Sequence, residues 1–74
     1  MGSIGNSQRT IQDITKDKKV DTAVEKAFNR MVQAENGDGL DVYEVIYRYK
    51  ALRDLPQDDV EIIYDYLTER MWGR

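Results

Sequence analysis

The chain has 74 residues, 34% of them charged, a formal net charge of −3 and neither cysteine nor histidine. Disulfides, thiolate or imidazole metal sites, cysteine nucleophiles and serine–histidine–aspartate triads are therefore excluded by composition. Below roughly 70–80 residues a single core supplies only ~3–5 kcal/mol, so any additional staple has to be self-association or a partner. No apolar run approaches the ~18 residues of a membrane span, and the N-terminus lacks the apolar stretch of a signal peptide. The expectation is a cytoplasmic protein with no membrane contact.

Charge divides the chain. Residues 1–20 carry four basic and two acidic side chains, a net +2, whereas residues 21–74 carry seven basic and twelve acidic ones, a net −5. A mildly basic arm on an acidic body is the result. The body repels phosphate backbones, which makes nucleic acid a poor partner for it.

Residues 1–19 read as a flexible basic arm. "MGSIGNSQ" is rich in Gly, Ser and Asn and buries too little to offset its ordering entropy. Ile11 and Ile14, three apart behind Thr10, leave room for a short helix at 8–16. The helical domain then spans 20–74, and the fold class is all-α: a small three-helix bundle with helices at about 21–36, 41–54 and 57–72.

The first helix is predicted from Asp21 or Thr22, because Thr22-Ala23-Val24-Glu25 matches a capping box. Val20, Ala23, Val24, Ala27, Phe28 and Met31 follow at helical spacing on one face. Gly37 suits a helix end because it reaches left-handed backbone without Cβ strain.

The second helix is predicted from the Asp41 cap, with Leu40 and Val45 spaced as a hydrophobic staple. Its inward face is Val42, Val45, Ile46, Tyr49 and Leu52, and Pro56 ends it. In the third helix Asp58, Asp59 and Glu61 lie in the first turn and Arg70 in the last, complementing the dipole. Val60, Ile63, Tyr64, Leu67 and Met71 form its core face. Asp58, Asp59, Glu61, Asp65 and Glu69 are expected on its outer, solvated face.

Asn36-Gly37-Asp38-Gly39 resembles a calcium loop at first sight. With Gly39 as the sixth loop residue, Asn36 and Asp38 fall on ligand positions, but the first position is Ala34, the eighth Asp41 and the twelfth Val45. The bidentate carboxylate is missing, so the stretch reads as a helix stop and a capped restart. No metal and no cofactor are expected. Nor is catalysis, because a bundle of this size encloses no cleft in which a carboxylate could be tuned.

The aromatic residues carry the functional signal. Five Tyr, one Trp and one Phe exceed what so small a core can take in. Phe28, Tyr49 and Tyr64 fall on core faces. Tyr43 and Tyr47 lie beside the core stripe of the second helix, and Ile62 and Tyr66 beside that of the third. Trp72 falls on a solvent-facing row. Tyrosine and tryptophan at such positions are what partner interfaces favour. The expected function is a small protein–protein interaction module, a regulator, inhibitor or adaptor of the kind that phages and plasmids encode. It would act through Tyr43, Tyr47, Arg48, Ile62, Tyr66 and Trp72, either on another protein or by self-association. The alternative is a nucleic-acid-associated protein that uses the basic arm for contact and the body for dimerisation.

Overall fold

A computed structural model describes residues 9–34 and 40–73. The chain is an all-α bundle. Among the described residues there are five helices and no strand: α1 (Ile11–Ile14), α2 (Lys18–Gln33), α3 (Val42–Tyr47), α4 (Lys50–Arg53) and α5 (Gln57–Trp72). None is long and apolar enough to cross a membrane. The calcium-like residues Asn36 to Gly39 lie outside the described part, while Asp41 caps α3.

The two long helices form the frame. α2 packs against α3, α4 and α5; α3 packs against α5; α1 packs against α5. Their apolar stripes meet in one core of Val20, Ala23, Val24, Ala27 and Met31 from α2, Val42, Val45 and Ile46 from α3, Leu52 from α4, and Val60, Ile63 and Leu67 from α5. Each fully buried Val, Leu, Ile or Met side chain among them contributes roughly 1.5–3 kcal/mol. Ile14 of α1 joins them at 3% exposure. The predicted stripes of all three helices are thus the observed ones, with Phe28, Tyr49, Tyr64 and Met71 half-buried at their margins.

Three boundaries differ from the sequence reading. α2 begins at Lys18, because Asp17 accepts the Lys19 amide at 3.0 Å and caps the helix a turn before Thr22. The earlier start takes Val20, already on the predicted apolar face, into the helix itself. The capping box belongs instead to Thr10 and Asp13: each side chain accepts the other's backbone N–H, at 3.3 and 3.0 Å. Third, the helix expected over 41–54 is broken. α3 stops at Tyr47, Tyr49 turns extended (φ −104°, ψ 119°), and α4 restarts at Lys50. At the break the Arg48 and Tyr49 amides reach only three residues back, to Val45 and Ile46. The turn seats Leu52 in the core with no exposure and brings the Tyr49 hydroxyl to 3.4 Å from the Lys26 carbonyl of α2.

A fourth correction concerns charge. Asp59, expected on the solvated face of the last helix, is 2% exposed. Its carboxylate lies 3.1 Å from the Arg9 guanidinium.

Candidate functional site

Helix α5 presents two flanks, one on each side of its buried Val60–Ile63–Leu67 stripe. Tyr64 and Tyr66 are two residues apart, which at about 100° per residue sets them on nearly opposite sides of the helix. Each flank has its own chemistry.

The flank toward α3 is aromatic. Tyr43 stacks on Tyr64 with ring centroids 4.3 Å apart and planes inclined by 22°, and on Tyr47 at 6.2 Å with the same inclination. Tyr43 and Tyr47 are one turn apart on α3, so the helix itself sets their spacing. Tyr64 then completes a three-ring ladder from the facing helix. Asp41 fixes the start of α3 by accepting the Tyr43 and Glu44 amides at 3.0 and 3.3 Å. The Tyr43 hydroxyl donates to Glu61 at 2.9 Å, and the Gln57 amide donates to the same oxygen at 3.0 Å. Donating to a carboxylate favours the protonated phenol, and with desolvation and the Glu61 charge it pushes the Tyr43 pKa up to about 12. Tyr47, at the outer end of the ladder, is 39% exposed. One ring is clamped by a hydrogen bond, one packs on the core, and one is open to solvent.

The flank toward α2 and α1 is closed by charge. Arg70 lays its guanidinium 4.1 Å over the Phe28 ring and donates to Glu25 of α2 at 3.0 Å and to the Tyr66 hydroxyl at 3.2 Å. The Glu25 hydrogen bond, the largest cause, raises the Arg70 pKa above its ordinary value. One turn before α5's Ile62, Asp59 takes Arg9 from the N-terminal segment.

The six residues singled out from sequence are therefore not one surface. Tyr43 and Tyr47 belong to the ladder. Tyr66 belongs to the Arg70 cluster, and Ile62, four residues before it, shares its row and is half-buried against the core. Arg48 is exposed and borders a shallow groove of about 170 Å³ between Arg30, Leu40, Asp41 and Glu44, beside the ends of the 35–39 connection. Trp72, at 56% exposure, stands at the far end of α5. Tyr64, the third ring, and Glu61, the acceptor for the Tyr43 hydroxyl, fall by sequence on the core face and on the solvated face of the last helix. Their pairing with Tyr43 crosses between helices, and no single-helix pattern reveals it. In the basic arm, Arg9 is paired with Asp59, and Lys16 lies 4.0 Å from Asp13.

No family model matches the chain, and neither do the curated proteins or solved structures with which it was compared.

Proposed function

We propose that the chain is a small protein–protein interaction module, a regulator or adaptor that docks another protein on the aromatic ladder between α3 and α5. The observation that carries this reading is the Tyr43–Tyr47–Tyr64 stack with its outermost ring open to solvent. Tyrosines held in place before contact lose little conformational freedom on binding, and rings of this kind supply the anchor residues of many interfaces. Glu44, Asp58, Glu61 and Asp65 are exposed on α3 and α5, so the partner surface that fits is apolar at its centre with a basic rim. Trp72 offers a second, peripheral contact. Ile62 and Tyr66, on the opposite flank, drop out of the docking surface.

The test is affinity capture from the source cell with the wild-type chain and with Tyr47→Ala. The expected result is a specific partner held by the wild type and lost by the variant, with helical circular dichroism and melting temperature unchanged. Equal capture by both chains, or an unfolded variant, overturns the reading.

A further inference from the structure

The segment Arg9–Ile14 is held in an unusual way. A four-residue helix has no stability of its own in water, so α1 exists only on the surface it covers. Of the other helices, its main packing partner is α5. Three attachments hold it: Ile14, buried in the core, Ile11, partly buried against it, and the Arg9–Asp59 pair, in which the aspartate side chain is 3% exposed and the arginine 52%. Asp59 has been left available for this. It occupies the third position of α5, from which a carboxylate ordinarily turns back to the N-cap amide. Here the N-cap is Pro56, which has no N–H to give. The nearest local donor is absent, and the buried carboxylate takes its cation from the arm.

We propose that the Asp59 flank of α5 is a docking site for the Arg9–Ile14 segment, occupied in cis within one chain and in trans by the same segment of a second copy. The site demands a guanidinium and, five residues later, an aliphatic side chain. Opening it takes the cation from Asp59 and vacates the Ile14 seat, so an open copy recloses on any equivalent segment. A second copy supplies that segment unchanged, and only the non-helical hinge Thr15–Asp17 has to alter its path. The segment itself carries no net charge, Arg9 against Asp13, so what draws it to the site is the specific Arg9–Asp59 pair and not a bulk attraction.

Hydrogen exchange on the full chain tests the latch. The Ile14 and Thr15 amides donate to the Thr10 and Ile11 carbonyls at 3.2 and 2.9 Å. Arg9→Asp is expected to speed their exchange by on the order of tenfold to a hundredfold while the Ile63 and Leu67 amides stay protected. The double variant Arg9→Asp/Asp59→Arg is expected to restore protection in cis. Unchanged exchange at Ile14 and Thr15, or equal acceleration at Ile63 and Leu67, overturns the latch.

The exchange between copies is tested by mixing the two single variants, Arg9→Asp and Asp59→Arg. Neither can close on itself, yet in a reciprocal pair both locks are complementary. At about 1 mM, a concentration comparable to that of a tethered segment, the mixture is expected to form a heterodimer by light scattering that neither variant forms alone. A mixture that stays monomeric overturns the proposal. Should Asp59→Arg be unfolded alone, mixing must recover its helical circular dichroism, and failure to recover overturns the proposal as well.

Discussion

The two flanks of α5 solve the same problem with different chemistry. Toward α3, half-buried rings are stacked on one another and a single phenol is clamped by Glu61. Toward α2 and α1, rings and carboxylates are closed off by two arginines, Arg70 over Phe28 and Arg9 on Asp59. A flank closed by charge presents satisfied groups that gain little from a partner. A flank closed by stacking ends in a ring face that has no further ring to cover it. That difference, and not the number of aromatic residues, distinguishes the ladder, proposed to take a different protein, from a flank that is filled by this chain's own side chains and arm segment.

The comparison yields a graded set of expectations. The largest concerns Tyr64, the only ring of the ladder on α5. Tyr64→Ala removes the α5 side of the ring stack and is expected to cost about 2–3 kcal/mol in a denaturant melt, less than a fully buried aromatic because the residue is half-exposed. A cost below 1 kcal/mol would show the ladder to be ornament on a core that stands without it. Arg70→Ala is expected to cost about 1 kcal/mol, the scale of one exposed cation–aromatic contact with a surface ion pair. Its loss should shrink as salt rises, whereas that of Tyr64→Ala should not.

A smaller effect is read by pH. The folded-state pKa of Tyr43 lies above that of the free phenol, so its hydrogen bond to Glu61 is fully present below pH 10 and is lost as the pH climbs through about 12. Ultraviolet titration of the folded chain should show one late tyrosine, and Tyr43→Phe should abolish it. The smallest effect is at Tyr47: with its ring 39% exposed, Tyr47→Ala is expected to change stability by less than about 0.5 kcal/mol. A large loss there would move Tyr47 from the docking surface into the core.

Much of this architecture was legible in the sequence. The stripes of α2, α3 and α5 repeat at helical spacing, and the buried residues follow them closely. The Asp41 start and the Pro56 stop are local chemistry, and local chemistry survives in any context. Which of two acceptable caps is used is less local. Asp17, and not Thr22, caps the helix, and the longer helix includes the buried Val20.

What the sequence determined by itself was three apolar stripes, the Asp41 cap, the Pro56 stop, the acidic body and the surplus of tyrosines. Only the tertiary structure decided how those elements meet. The break at Arg48–Tyr49 has no Gly or Pro to announce it; beyond it Leu52 is buried in the core and the Tyr49 hydroxyl reaches the Lys26 carbonyl of α2. Asp59 reads as solvated because it is an acid, although it stands one turn before Ile63 on the buried row; it is buried there with a guanidinium that a segment fifty residues earlier brings. Tyr43 and Tyr64 read as unrelated rings until α3 and α5 pack. Periodicity records which face of an element is apolar, but contacts between elements depend on the register and angle at which those faces dock, and these are fixed by the core as a whole.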